Sequence, residues 1–165
     1  MTTIDRTGSA QLTLPSDHEI LVTRKFDAPA ELVFDVWTKP EHVRNWWGWE
    51  RDPMIVCEID LRVGGKWRYV SLHPEHGEVD FYGEYLEIDP PNRLVATEVF
   101  APYPDHPSVN TLTIEEEEGV TTVTILSRHD GKQSRDAVIA SGMEGGLQHS
   151  LDRVDRVLAQ EMEKV

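Results

Sequence analysis

Alternating apolar and polar residues show where the chain is predicted to form strands. Ile20, Val22 and Phe26 alternate with polar neighbours and predict a strand over residues 19–26. From residue 54 to residue 128, similar short runs are separated by turn residues such as glycine, proline and asparagine. They predict six further strands, at residues 54–59, 66–72, 78–88, 93–100, 110–116 and 120–127. Consecutive strands with short turns are typical of an antiparallel meander.

Helical spacing appears first between the opening strand and this meander. Asp27 and Pro29 suit the start of a helix, because aspartate caps the first turn and proline needs no hydrogen bond there. Leu32 and Val36 recur at helical spacing and give that helix one apolar face. Pro40 interrupts the pattern, so a second short helix is predicted to follow it.

The second helical region lies at the C-terminal end. Apolar residues recur there every three or four positions, at Met143, Leu147, Leu151, Val154 and Leu158. This spacing predicts one long amphipathic helix from about residue 134 to about residue 162. Glycines at 142, 145 and 146 interrupt its first half and indicate a kink, or a close approach by the sheet or a ligand.

These elements predict an α+β protein with a curved antiparallel sheet of about six or seven strands wrapped around the C-terminal helix. Trp67 and Tyr69 share one face of their strand, and Phe81 shares a face with Tyr85. The parity of strand 93–100 does not decide whether the set containing Glu98 or the set containing Val99 points inward.

Residues 1–17 carry few large apolar groups, and we interpret them as a flexible N-terminal arm with a short strand near residues 11–14. Residues 18–165 are then a single domain, a size that 165 residues allow. The arm is expected to be dispensable for folding.

Charge and composition narrow the classes of function. The chain has 30 acidic and 16 basic residues and a net charge of −14, which disfavours nucleic acid and anionic membrane surfaces as partners. Neither a signal sequence nor a membrane-spanning apolar stretch is evident, so a cytoplasmic location is expected. The one cysteine, Cys57, excludes an internal disulfide and is expected to be a buried, inert thiol.

Few residues suggest chemistry by their spacing. His73 and His76 frame a turn without further metal ligands, and we interpret them as a solvated loop. Ser127, His129 and Asp130 are neighbours in sequence, which does not by itself make a catalytic triad. No catalytic residue, metal site or cofactor is therefore predicted. Glu98 has two interpretations: a solvated strand residue, or a polar anchor or acid with a raised pKa.

Short motifs in a fixed order carry a family resemblance over about residues 19–160. They are residues 26–37 (FDAPAELVFDVW), 40–42 (PEH), 46–48 (WWG), 60–65 (DLRVGG), 83–88 (GEYLEI), 90–94 (PPNRL), 141–143 (SGM) and 150–152 (SLD). Together they resemble the SRPBCC superfamily, also called START-like, Bet v 1-like or helix-grip. Within it, they resemble the activator of heat-shock-protein-90 ATPase homologue-like branch.

The resemblance implies a helix-grip fold with a mostly apolar cavity between the sheet and the C-terminal helix. We expect a small hydrophobic or amphipathic ligand to bind there; pockets of this kind are mostly apolar with few polar groups. The predicted ligand-binding residues are Trp47, Trp67, Tyr69, Phe81, Glu98, Met143 and Leu147. Trp47 is expected to close the mouth of the cavity.

Two alternatives to a binding protein stay open at this stage. One is an enzyme resembling a cyclase or aromatase that uses a cavity carboxylate such as Glu98. The other is a module that interacts with a chaperone, for which the residues give no independent support. A homodimer is compatible with the sequence, which does not fix the oligomeric state.

Overall fold

The structure, a computed structural model, describes residues 10–164. In this part of the chain eight strands form one open, curved antiparallel sheet. They are β1 (Gln11–Thr13), β2 (Glu19–Phe26), β3 (Met54–Ile59), β4 (Lys66–His73), β5 (Gly77–Asp89), β6 (Arg93–Phe100), β7 (Ser108–Glu117) and β8 (Val120–Arg128). Their order across the sheet is β1-β2-β8-β7-β6-β5-β4-β3. The predicted α+β helix-grip class is confirmed.

The sheet has eight strands where the sequence predicts six or seven. The additional one is β1, the short strand expected near residues 11–14, in which Leu12 pairs with Val22 of β2 at the edge of the sheet. A strand of three residues is too short to show alternation, and its pairing with β2 is what joins it to the sheet.

Four helices accompany the sheet in the described residues. They are α1 (Ala30–Thr38), α2 (Pro40–Val43), α3 (Lys132–Ala140) and α4 (Met143–Glu163). The predicted long C-terminal helix is present as α4, but it begins at Met143 instead of near residue 134, because the chain turns between α3 and α4. Gly142 has a φ of +84° there, a left-handed conformation that glycine adopts without steric penalty.

The apolar residues of α4 pack onto one face of the sheet, which we call the covered face. Leu151, Val154 and Leu158 of α4 are fully buried in the same core as Val22 and Val123 of the sheet. On the opposite face, Lys66 and Arg68 of β4 form ion pairs with Glu84 and Asp80 of β5. The helix spacing read from the sequence therefore identifies the side of α4 that meets the sheet.

Strand pairing shows which residues of β6 belong to the covered face. Ala96 lies opposite the buried Tyr85, and Leu94 lies opposite the buried Leu112. Because residues two apart in a strand share a face, Glu98 and Phe100 point to the covered face as well. Thr97 and its alternate neighbours face the other way.

Residues 10–16 contact the rest of the protein. Gln148 of α4 accepts a hydrogen bond from the Ala10 main-chain nitrogen at 3.2 Å and donates one to the Ala10 carbonyl at 2.9 Å. The Arg135 guanidinium in α3 donates to the Ser16 carbonyl. The domain boundary at residue 17 remains a prediction, and residues 1–9 of the proposed arm lie outside the described residues.

Among residues 10–164, no helix is long and apolar enough to cross a membrane.

Candidate functional site

Four of the predicted ligand-binding residues form one aromatic cluster on the covered face. The ring centroids of Trp67 and Tyr69 on β4 are 4.7 Å apart. Trp47, which follows α2, lies 4.8 Å from Tyr69 and 5.8 Å from Phe81 on β5. Phe81 stacks in turn on Phe100 of β6, at 4.9 Å. The structure therefore brings together residues that are separated by more than 50 positions in the chain.

A glycine on β5 gives the Trp67 indole its position. Gly83 lies directly opposite Trp67, and the indole nitrogen Nε1 donates a 3.1 Å hydrogen bond to the Thr97 carbonyl. A Cβ atom at Gly83 would lie 2.6 Å from this nitrogen and still closer to the Thr97 carbonyl oxygen. The close approach of β4, β5 and β6 at this point therefore requires glycine.

The helices contribute apolar side chains opposite this part of the sheet. Met143 and Leu147, at the start of α4, are half-buried and pack against the core. Val138 and Ile139 of α3 do the same. These two were not predicted from the sequence, although Ile139 lies four residues before Met143, a spacing that places both on one face of a helix.

Glu98 supplies a carboxyl group to the covered face. Protein surrounds this group, and the resulting loss of solvation raises its pKa from 4.5 to about 7, while a hydrogen bond from Asn110 on β7 acts in the opposite direction. The residue still keeps part of its surface accessible. Of the two interpretations of Glu98, the structure supports the polar group in an apolar setting.

Other polar groups on the covered face lack hydrogen-bond partners. The Asn110 oxygen Oδ1 and the Ser71 hydroxyl of β4 are both buried without one. Burial raises the pKa of the Tyr69 hydroxyl well above its ordinary value, and Tyr85 and Glu98 add to this effect. Tyr69 therefore stays a neutral hydrogen-bond donor at physiological pH. Buried polar groups without partners are uncommon, and such groups can serve to bind a ligand.

Gly145 and Gly146 of α4 accommodate the side chain of Trp49. A Cβ atom at Gly146 would lie 3.3 Å from the Trp49 indole nitrogen, and one at Gly145 would lie 4.0 Å from the same ring. His149 stacks on this ring at 4.8 Å. The close approach expected from these glycines is therefore made by the segment after α2.

Hydrogen bonds hold the same segment on α4. Arg153 donates to the Gly48 carbonyl at 3.0 Å, and the Ser150 hydroxyl donates to it at 3.2 Å. Glu50 donates its main-chain N–H to the His149 ring at 3.2 Å. Residues 46–50 thereby bring Trp47 against the aromatic cluster and leave Trp49 on the outside.

The remaining histidines have local roles. His73 accepts hydrogen bonds from the main chain of Glu75 and His76, which is consistent with the predicted loop. Asp130 pairs with His106 at 2.7 Å instead of joining Ser127 in a triad. In the described residues no group of three or more potential metal ligands occurs.

Cys57 is buried on β3, and burial raises the pKa of its thiol. A thiol in this environment stays protonated at neutral pH and is a poor nucleophile.

An open groove of about 650 Å³ lies on the opposite face of the sheet, across β3, β4 and β5. Ion pairs line it: Arg68 bonds Asp80 at 2.9 Å, and Lys66 bonds Glu84. These charged side chains satisfy one another, and Ile59 and Tyr82 add apolar surface to the lining of the groove.

Comparison with known proteins identifies the family. A solved structure from Rhodobacter sphaeroides is 26% identical over 92% of this chain and 98% of its own, with a TM-score of 0.83. One from Staphylococcus epidermidis is 26% identical over 98% and 95%, with a TM-score of 0.76. Protein Ms6760 from Mycobacterium smegmatis is 22% identical over 91% and 96%, with a TM-score of 0.81, and shares the fold.

No curated protein matches the chain. The family described as activator of Hsp90 ATPase homolog 1-like protein matches residues 27–159, which is most of the helix-grip domain. The chain therefore belongs to the activator of Hsp90 ATPase homolog 1-like family, within the SRPBCC superfamily.

Proposed function

We propose that this protein binds a small hydrophobic or amphipathic molecule between the covered face of the sheet and helices α3 and α4. One observation carries the proposal. Side chains on the covered face and on α4 keep part of their surface accessible. They are Phe81, Ala96, Glu98, Asn110, Met143 and Leu147.

The chemistry of these groups fits such a ligand. Phe81, Met143 and Leu147 offer apolar surface from both sides of the region, and Trp47 packs over the aromatic cluster. Glu98 and Asn110 supply polar contacts within it. A mostly apolar lining with a few convergent polar groups is the usual composition of a small-molecule site.

An enzyme that moves a proton in the same site is the second candidate. The observation that favours it is the carboxyl of Glu98, whose pKa of about 7 suits a general acid or base at neutral pH. Tyr69 is a neutral donor on the same face. The two candidates differ in turnover, because a binding protein releases its ligand unchanged. Mass spectrometry of a ligand recovered after incubation distinguishes them.

Titration with N-phenylnaphthylamine, a neutral probe that fluoresces in apolar surroundings, tests the proposal. We expect saturable binding of one probe molecule per chain. Leu147→Trp should abolish this binding with little loss of stability, because the larger side chain occupies the proposed space. In a solid core the same substitution would overpack and lower stability by about 1–3 kcal/mol.

Met162→Trp is the matched control, because it makes a similar change on an exposed part of the same helix. It should bind the probe as the unmodified protein does. If the unmodified protein fails to bind the probe, or if both variants bind it equally well, the ligand does not occupy this region.

A further inference from the structure

We propose that the ligand of this site carries a protonated amine, which binds the carboxylate of Glu98 and the side-chain oxygen of Asn110, while its apolar body lies against Phe81 and Leu147. This inference rests on the proposed function, since it names the chemical class of the molecule bound there. Its basis is the kind of polar atom present on the covered face and, among residues 10–164, the lack of a lysine or arginine paired with Glu98.

Two polar atoms without partners in this region can accept hydrogen bonds, and a third, Nε2 of His129, accepts or donates according to its tautomer. Oδ1 of Asn110 is buried and unpaired, and so is the hydroxyl oxygen of Ser71. Glu98 sits on the strand next to Asn110, within reach of its side chain. A ligand group rich in N–H donors satisfies these acceptors, whereas a carboxylate adds further acceptors to them.

The arginines on the covered side of the sheet are engaged elsewhere. Arg24 of β2 pairs through Nη1 with Asp152 at 2.6 Å, while its Nε is buried without a hydrogen-bond partner. Arg135 of α3 bonds Asp136 and the Ser16 carbonyl. Arg153 of α4 donates to main-chain carbonyls of residues 47 and 48.

The two tyrosines buried on this face are neutral. Tyr69 interacts with Glu98, and burial raises the pKa of the hydroxyls of both Tyr69 and Tyr85. Burial lowers the pKa of His129, which follows β8, and so favours its neutral form. Helices α3 and α4 pack apolar side chains against the core, among them Ile139 and Met143. Among the described residues no lysine or arginine pairs with Glu98, so an anionic ligand would find no counter-charge.

Burial of the carboxyl explains why an amine gains from this arrangement. Burying an ion pair is usually opposed by the desolvation of both partners. Here the carboxyl group is enclosed before any ligand arrives. On binding, the added desolvation cost therefore comes mainly from the amine. The ammonium group then provides the positive partner that the Glu98 carboxylate lacks.

Three ligands with a common naphthyl body test the inference: naphthylethylamine, naphthylethanol and naphthylacetic acid. Each is titrated against bound N-phenylnaphthylamine at pH 6 and pH 8, in the unmodified protein and in Glu98→Gln. At pH 8 we expect the amine to bind at least about tenfold more tightly than the acid, since charge-assisted hydrogen bonds are the stronger ones.

Two further results are expected. The amine should bind more tightly at pH 8 than at pH 6, because more of Glu98 is ionised. In Glu98→Gln this pH dependence should disappear, the affinity for the amine should fall about tenfold, and the affinity for the alcohol should change little. Glu84→Gln, which alters a carboxylate on the opposite face, should behave like the unmodified protein.

Equal affinities for the amine and the acid would overturn the inference and leave the proposed binding site intact. An amine affinity unaffected by Glu98→Gln would overturn it too, as would probe binding that none of the three ligands displaces. If the probe itself does not bind, the proposed function fails, and the inference fails with it.

Discussion

Glu98 shows how the position of one residue determines its chemistry. The alternation of residues along β6 is compatible with Glu98 on either face of the sheet. Pairing of β6 with β5 and β7 places its carboxyl on the covered face, among apolar side chains. Enclosure then disfavours the ionised form and raises the pKa. The same carboxylate on the opposite face would behave like Glu84, which pairs with Lys66 at the surface.

The raised pKa predicts how stability depends on pH. The unfolded chain loses the Glu98 proton near pH 4.5, and the folded protein keeps it until about pH 7. Between these values the folded state binds more protons, so the contribution of Glu98 to the unfolding free energy falls as pH rises. From pH 5 to pH 8 the loss is about 2–3 kcal/mol.

Urea denaturation at both pH values, compared between the unmodified protein and Glu98→Gln, measures this contribution. The variant should gain about 2–3 kcal/mol relative to the unmodified protein as pH rises from 5 to 8. Glu84→Gln is the control, because it removes a carboxylate at the surface and shows how much stability changes with pH for other reasons. A stability difference between the unmodified protein and Glu98→Gln that stays constant with pH would show that Glu98 is solvated in the folded state.

At the scale of elements, the break between α3 and α4 depends on glycine. Gly142 adopts a left-handed conformation there, whereas Gly145 lies inside α4 with no neighbour closer than 4.0 Å to an added Cβ atom. Gly142 therefore needs the conformational freedom of glycine, whereas the backbone at Gly145, three residues later, accepts a side chain.

Alanine substitutions should reveal this difference. Gly142→Ala is expected to lower the unfolding free energy by about 1–2 kcal/mol, because a side chain is strained at this φ. Gly145→Ala should raise it by up to about 1 kcal/mol through better helix propensity. Thermal or urea unfolding measures both. A stabilising Gly142→Ala would mean that α3 and α4 form one continuous helix in solution.

The elements also show what a sequence can and cannot predict. Alternation identified the strands from β2 to β8, and helical spacing identified the buried side of α4, because both depend on periods within one segment. The inward face of β6 depends on pairing with β5 and β7 and does not follow from its own alternation. The short strand expected near residues 11–14 is present as β1, and its place at the edge of the sheet comes from pairing with β2.

The aromatic residues of the candidate site were predicted from the sequence, whereas of its polar residues Glu98 was predicted and Asn110 was not. Trp67 and Tyr69 share one face of their strand, as the alternation of residues predicts. The expectation of a cavity beside them came from the family resemblance. Asn110 carries no such signal, because a single asparagine in a strand is usually solvated. Its unpaired oxygen becomes apparent only when β6 and β7 are placed side by side.

At the scale of the whole molecule, β1 connects the N-terminal region to both the sheet and α4. Removing residues 1–16 takes away β1 together with the hydrogen bonds between Ala10 and Gln148. The sequence predicts that this arm is dispensable for folding, but these contacts indicate that removing it lowers stability. We now expect the melting temperature to fall by about 5 °C or more, on the order of 1–2 kcal/mol.

Removal of residues 1–9, which keeps β1, is the reference variant for this deletion. Calorimetry of the two truncated proteins measures the difference. Equal melting temperatures would show that the domain begins near residue 18, as the sequence predicts.

The net charge of −14 is a property of the entire chain. It predicts no salt-sensitive binding to duplex DNA at physiological ionic strength, because phosphate backbones are repelled. A fluorescence anisotropy titration with a generic duplex measures this directly. Binding that weakens as salt is added would contradict the prediction and would require a local basic surface.

A crystal structure of the protein with N-phenylnaphthylamine tests the central claim most directly, since it shows where a ligand lies. We predict that the probe occupies the covered face, between Phe81 of the sheet and Leu147 of α4, with Trp47 beside it. A probe found only in the charged groove near Arg68 would contradict the account. So would side chains of the sheet and α4 that interdigitate without space for a ligand.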